Sequence, residues 1–194
     1  INKNRVNLNK ENIIPNFNID RDWAYQFDAG KLGHWMRKTL CSKTTYIRDH
    51  VTDIKVDERG WISSVATKEH GDLTADLYVD CTGFRSLLMG GALIDIRNGR
   101  HKQCWHKNCL AVGLSYGFIE PLESTGLVFA HEGADKLVIA LQSRDRHITQ
   151  LDRDCVNREM QIHIDSIKHF VGYHFFGSVR DDTEYCRWYT QELE

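Results

Sequence analysis

Residues 118–127 read FIEPLESTGL and gather several reactive groups into one short stretch. Glu120 and Glu123 flank Pro121, and Ser124, Thr125 and Gly126 follow at once. Two carboxylates can act as general acid and base. A glycosidase pair faces itself across a cleft, however, and these two share one segment. Ser124 with His131 or His106 has the composition of a nucleophile and base, but LESTG lacks the Gly-x-Ser-x-Gly elbow that exposes a hydrolase serine. The Ser-Thr-Gly run suits another task. Successive backbone N–H groups around a glycine form a nest for an anion. The same residues can cap a helix, and a helix start is itself an anion site.

Two other constellations carry chemistry. DLYVDCTGF (76–84) is a strand ending in Asp80-x-x-Gly83, where an acid followed by a glycine lets backbone approach a ligand. The bland alternative is an ordinary strand–turn junction. HKQCWHKNC (101–109) offers His101, Cys104, His106 and Cys109, donor types that suit zinc. Their spacing matches no usual zinc knuckle, and on an extended strand neighbouring donors would face opposite ways. A basic strand or loop is the simpler reading, and no metal site is assigned.

Helices and strands must position these groups. Asp28 is an N-cap for a helix of about three turns in AGKLGHWMRKTLCS, with Leu32, Trp35, Met36, Thr39 and Leu40 on one face. Val51, Ile54 and Val56 begin a β-meander. DERG (57–60) and EHGD (69–72) are its turns, and LTADLYVDCTG is a third run entering an interior. LAVGL (110–114) and LVIAL (137–141) read as short buried strands. Val156, Met160, Ile164, Ile167 and Val171 form one apolar stripe, which predicts a helix over about 145–171 with Gly172 as its terminator. No element is legible from 89 to 100, where an apolar segment turns abruptly basic. That is a surface loop or a junction where a larger insert is missing.

The 194 residues suffice for one domain, and 41% apolar against 27% charged residues supports a packed core. A net charge of −2 gives no electrostatic case for nucleic acid or an anionic membrane. No run approaches the ~20 apolar residues of a membrane span. Six scattered cysteines read as reduced thiols of a cytoplasmic protein. The polar start INKNRVNLNKEN has neither an apolar signal region nor an initiating Met, and is expected to lie inside a longer gene.

Four strings in order resemble the flavin-dependent tryptophan halogenases. They are AYQFDAGKLGHWMR (24–37), DERGWISSVATKEHGDLTADLYVDCTGFRSLL (57–88), WHKNCLAVGLSYGFIEPLESTGL (105–127) and IKHFVGYHFFGSVRDDTEYCRWY (167–189). Together they cover about half of the chain. The resemblance implies an α/β (α+β) class: a partial FAD-binding, flavin-monooxygenase-like fold. It would be a single incomplete domain over 1–194, with a β-meander portion over 1–88 and a halide corner and helical portion over 101–194. It implies FAD, reduced by a separate flavin reductase, and a halide ion, chloride or bromide. Reduced flavin and O2 would convert the halide to hypohalous acid, which travels to a lysine and halogenates tryptophan or a related indole-like aromatic. A homodimer is an assembly this resemblance allows.

The resemblance also implies residue roles. Glu123 would lie near the substrate and Ser124 beside it, between flavin and substrate sites. Thr125 and Gly126 would present backbone amides to the halide. Leu114 and Leu127 would line the flavin. Val51 would make a backbone contact to the adenine side of FAD, and Asp80 and Gly83 would lie near the cofactor.

The chain departs from the family pattern in three respects. No Gly-x-Gly-x-x-Gly strand–turn–helix precedes residue 24, although that element cradles the FAD pyrophosphate. No lysine stands in the family's catalytic context. The tryptophans at 23, 35, 61, 105 and 188 include no Trp-x-Trp pair, which belongs between Leu88 and Trp105. The chain is therefore expected to be a fragment with an internal deletion. Its alternative function is that of a catalytically inactive remnant or interaction module on the same scaffold. It should bind FAD weakly alone and leave apolar surface uncovered.

Overall fold

The computed structural model describes residues 27–90, 98–120, 125–176 and residue 184. It divides into two compact units, Ile1–Arg48 and Asp49–Glu194. In the first, α1 (Ala29–Thr39) begins where expected: the Asp28 carboxylate accepts from the Lys31 N–H at 2.9 Å. Arg37 and Lys38 in its last turn complement the helix dipole. No residue of α1 is buried, so its apolar stripe faces outward.

The second unit opens with the meander β1 (Val51–Val56), β2 (Ile62–Thr67) and β3 (Gly71–Leu73), paired antiparallel in that order. Carboxylates hold its turns. Asp57 accepts from the Arg59 and Trp61 N–H groups at 3.0 and 2.8 Å. Asp49 takes the Glu69 and His70 N–H groups and the His70 ring, the last at 2.7 Å. The His70 contact is the largest influence holding the Asp49 carboxyl well below the usual carboxylate range.

The expected third run is two strands, not one. β3 ends at Leu73, and β4 (Tyr78–Asp80) joins a second sheet of order β4-β7-β6, with β6 at Trp105–His106 and β7 at Cys109–Ala111. β4 runs parallel to β7, and β6 antiparallel to it. The interior character of β4 holds, since Asp80 is fully buried and Tyr78 nearly so. A two-stranded ladder pairs β5 (Gly99–Arg100) with β8 (Gly117–Phe118).

Two long helices follow, α2 (Thr125–Ser143) and α3 (Gln150–Phe176). LVIAL (137–141) belongs to α2 and is not a strand. A continuous apolar run fits either a buried strand or one side of a helix, and here helical context prevails. LAVGL (110–114) is strand only at its start, because a 3-10 turn occupies Gly113–Ser115. The expected start of α3 near 145 also moves. Asp145 and Arg146 have φ of 46° and 66°, which no helix tolerates, and Thr149 with Asp152 opens the helix instead. Gly172 does not end α3, which continues four residues beyond it.

Asp152 receives the Thr149 hydroxyl at 2.6 Å and its N–H at 2.9 Å, and Arg144 at 2.9 Å. The Thr149 hydroxyl leads these in lowering the Asp152 pKa from 3.8 to about 2. A depressed folded-state pKa stabilises at pH values above the unfolded one. The contribution is therefore complete above 3.8 and lost as pH falls through about 2. Acid titration followed by helical circular dichroism should show this loss in the native chain, and Asp152→Asn should flatten that limb.

The main core joins Cys104, Trp105, Leu110, Tyr116 and Phe129 to Val156, Met160 and Ile164 of α3. Asn157 locks the helix to β6. Its carbonyl oxygen accepts from the Trp105 N–H at 2.7 Å and its amide donates to the Trp105 carbonyl at 2.8 Å. Arg100 adds a bidentate pair with Asp165 at 3.0 and 2.9 Å. Asn108 ties the two sheets by bonding both the N–H and the C=O of Ile62. Much apolar surface stays open, as expected: Leu127 is 76% exposed and Tyr173 75%. Among the described residues, no helix is long and apolar enough to cross a membrane.

Candidate functional site

Strand β4 delivers Asp80 to the edge of a turn, and its carboxylate organises everything that follows. Oδ1 accepts from the Thr82 N–H at 2.9 Å, the Thr82 hydroxyl at 2.6 Å and the Ser115 hydroxyl at 3.1 Å. Oδ2 accepts from the Leu88 N–H at 2.8 Å. Thr82 in turn accepts from Leu87 N–H, and the Ser86 hydroxyl donates to the Ser115 carbonyl at 2.8 Å. Asp80 thus uses its side chain inside the protein, in line with the rule that buried polar groups are paired. What it presents outward is the turn it holds. Gly83 sits there at φ 69°, a conformation that favours glycine, and a Cβ added to it would meet nothing within 4 Å.

The Val112 N–H donates to the Asp80 carbonyl at 2.9 Å, so the segment after β7 runs beside that turn. Gly113 follows at φ 63°, and a Cβ there would lie 3.3 Å from Ala130 Cβ of α2. Leu114, 41% exposed, therefore projects between the Asp80 turn and the start of α2.

Thr125 and Gly126 open α2, where first-turn N–H groups lack intrahelical acceptors and the dipole favours an anion. The Thr125 hydroxyl is buried and has no hydrogen-bond partner among the described residues. Thr125, Gly126 and Leu114 line one cavity of about 230 Å³, closed behind by Gly117, Phe118 and Ile164. A dehydrated halide is large, soft and weakly hydrogen-bonded, and an apolar chamber with a few aligned N–H donors fits it. A second cavity of about 210 Å³ shares Leu114, Gly117 and Phe118 with the first and adds Phe84 beside Gly83. The Phe84 and Phe118 rings meet edge to face at 5.2 Å.

The structure thus brings Leu114, Thr125 and Gly126 together, with Gly83 adjoining through Phe84. Leu127 is on the outer side of α2's first turn. Val51 begins β1 at the far end of the meander, paired with Thr67, and lines neither cavity. Glu123 and Ser124 lie outside the described residues. Glu120 has its backbone N–H on the Asn98 side chain at 2.9 Å.

Sequence reasoning missed Phe84, Tyr116 and Gly117. Phe84 adjoins Gly83 within CTGFRS, and Tyr116 and Gly117 lie two and three residues after Leu114 within GLSYGF. The Tyr116 phenol is buried beside the Arg100 guanidinium, and burial leads in pushing it up to about 12. Cys104 and Cys109 are likewise pushed up to about 12, chiefly by burial. The Cys104 thiol donates to Asn157 at 3.2 Å, so both cysteines are core groups unlike the thiolates zinc requires. Among the described residues, no three His, Cys, Asp or Glu side chains group to hold a metal ion.

Comparison with known proteins places this geometry. The family model for tryptophan halogenase matches residues 2–95 and 92–193. Among curated relatives, tryptophan 6-halogenase SttH of Streptomyces toxytricini is 29% identical over 254 residues, covering 85% of this chain and 48% of the relative. The 7-chloro-L-tryptophan 6-halogenase KtzR of a Kutzneria species is 27% identical, covering 85% and 49%. The chain spans about half the length of the curated relatives it matches. Of solved structures, VirX1 in its apo form superposes with TM-score 0.81 at 28% identity, over 95% of this chain and 53% of that one. SttH superposes with TM-score 0.77 at 26% identity, over 84% and 49%. The 254-residue aligned span is longer than the 194-residue chain. The relatives therefore carry within it residues that have no counterpart here, and the family match divides at 92–95, in the stretch where an insert was expected to be missing. With the α/β class and the two-part match both in place, the chain belongs to the tryptophan halogenase family.

Proposed function

We propose that this chain carries the halide- and flavin-facing corner of a flavin-dependent halogenase acting on tryptophan or a related aromatic. The observation that carries the reading is the start of α2. Its first-turn N–H groups at Thr125 and Gly126, and the Thr125 hydroxyl, which has no partner among the described residues, adjoin an apolar cavity lined by Leu114. The first-turn amides hold the halide, and the apolar walls strip its water, so that it meets an oxidant undiluted by solvent. Bound FAD, reduced by a separate reductase, supplies the oxidising chemistry with O2. Gly83 and Leu114 would give the flavin its surface here, with Leu127 and Val51 further contacts and Asp80 acting through the turn it organises. Glu123 would face the substrate as a general base and Ser124 would stand between the two ligands.

The test removes one donor without removing the helix. Proline is tolerated in a helix's first turn, where its missing N–H had no helical partner. Gly126→Pro should leave the melting temperature within a few degrees. It should weaken bromide binding, read by bromide-dependent NMR line broadening, by about tenfold or more, the value of one strong donor. Unchanged bromide binding in a folded Gly126→Pro chain would remove the halide assignment.

A second reading, a scaffold without turnover, is favoured by the divided family match. On it, the purified chain titrated with FAD shows no tight stoichiometric binding. A Kd below ~1 μM, which is a binding energy near 8 kcal/mol, would refute it.

A further inference from the structure

The two parallel strands β4 and β7 have their candidate site beyond their C-terminal ends, at Asp80–Gly83 and Val112–Leu114. A separate cleft lies at their opposite ends. It has a volume of about 760 Å³ and is bounded by Asp76 before β4, the Lys107 turn between β6 and β7, and the connection from α2 to α3. None of its lining residues belongs to either cavity of the halide corner.

Its chemistry is one-sided. Lys107, Arg146 and Arg153 line it against a single carboxylate, Asp76. Arg146 forms no salt bridge among the described residues, and its positive φ of 66° holds it in the loop between the helices. Arg153 is 9% exposed and stands 5.4 Å from the Trp61 ring centre, a cation–π contact that fixes both groups in the wall. Trp105 also lines the cleft, and its buried indole N–H, a donor only, has no acceptor among the described residues. A buried donor left unpaired is costly, and buried cations call for counter-charge. Lys107 Nζ donates to the Arg59 carbonyl and Arg153 Nε to Gln150 Oε1 at 3.1 Å, but among the described residues none of the three cations has a carboxylate partner. Asn108 and His147 complete its polar lining, and Trp61, Leu77, Leu141 and Ile148 supply the apolar part, Trp105 being only 1% exposed.

We propose that this cleft binds an oxyanion, phosphate or carboxylate, carried on a flat apolar body. Arg146 and Lys107 meet the anion, and the body lies along Trp61.

Two probes separate the anion sources. Phenyl phosphate and indole-3-acetate are titrated calorimetrically into the whole chain, with inorganic phosphate and indole as their separate halves. At least one full probe should bind in the sub-millimolar range and exceed either of its halves by about tenfold, the gain expected when charge and apolar contact act together. Arg146 is exposed, so Arg146→Gln should leave thermal stability unchanged and weaken that probe by about tenfold, with Lys107→Gln as an independent second variant. Gly126→Pro should leave it untouched, which separates this cleft from the halide corner. No binding of either full probe, binding indifferent to both variants, or inorganic phosphate binding as tightly as phenyl phosphate would each overturn the proposal. The readout needs neither flavin nor halide, so it stands or falls apart from the proposed function.

Discussion

Replacing Asp80 with alanine should destabilise the chain by at least about 3 kcal/mol, since bonds to a charged acceptor contribute about 1.5–3 each and burial prevents easy replacement by water. The carboxylate is fully buried and accepts four hydrogen bonds, from Thr82 twice, Ser115 and Leu88. Removing it leaves those donors facing a void. The damage also spreads, because Ser115 belongs to the 3-10 turn that carries Leu114, while Thr82 and Leu88 bracket Gly83. One deletion therefore loosens the Gly83 and Leu114 turns together. Asp80→Asn is the informative companion. It keeps one acceptor oxygen but turns an NH2 group toward at least one donor, so its cost should fall between wild type and alanine. Thr82→Ala and Ser115→Ala each remove part of the set and should cost about 1 kcal/mol. Urea unfolding at unchanged m-value measures all four. An alanine variant within about 1 kcal/mol of wild type would show that water readily replaces this carboxylate and that the turn is held elsewhere.

Where the signal was local, the sequence was readable. Asp28 capped α1 as its position implied, and alternating residues with turn glycines marked β1 and β2. Ser-Thr-Gly announced a helix start, and Asp80-x-x-Gly83 marked the end of a buried strand. Where two structures share a pattern, it was not. LVIAL fits a buried strand as well as a helix, and only length and packing on α3 decide for α2. Gly172 looked like a stop, yet an interior glycine costs only about 1 kcal/mol against alanine. Burial of neighbouring Val171, 3% exposed, outweighs it. The start of α3 was legible in TQLD, a threonine with an acid three residues on, but the apolar stripe drew the boundary too early. The closing wall of the site lay beyond sequence reach. Arg100, Gly117 and Ile164 meet only because β5, β8 and α3 do, and no local pattern records that meeting.

That meeting makes Gly117, among the described glycines, the one most tightly walled by backbone and fixed side chains. A Cβ there would lie 2.8 Å from Arg100 Cβ, 2.8 Å from Ile164 Cδ1 and 2.9 Å from the Gly99 carbonyl oxygen. Contacts this short force movement, and two of the three neighbours cannot yield alone. Arg100 Cβ and Gly99 O are fixed by the β5 backbone, which pairs with β8 at this residue. Gly117→Ala should therefore cost about 2–3 kcal/mol, the usual range for overpacking a well-filled site. Gly117 also lines both cavities of the proposed halide corner, and Arg100 is held by Asp165 of α3. Relief by separating β5 from β8 would pull on that ion pair and reshape the wall behind Thr125, so bromide binding should weaken along with stability. Ile164 is the one neighbour that can give way. Ile164→Val deletes the Cδ1 atom at 2.8 Å, at a cost of its own of about 1 kcal/mol. The double variant should then be more stable than the two single costs predict, by about 1 kcal/mol of favourable coupling. Strict additivity would place the whole obstruction in the β5 backbone and free α3 from any part in closing the cavity.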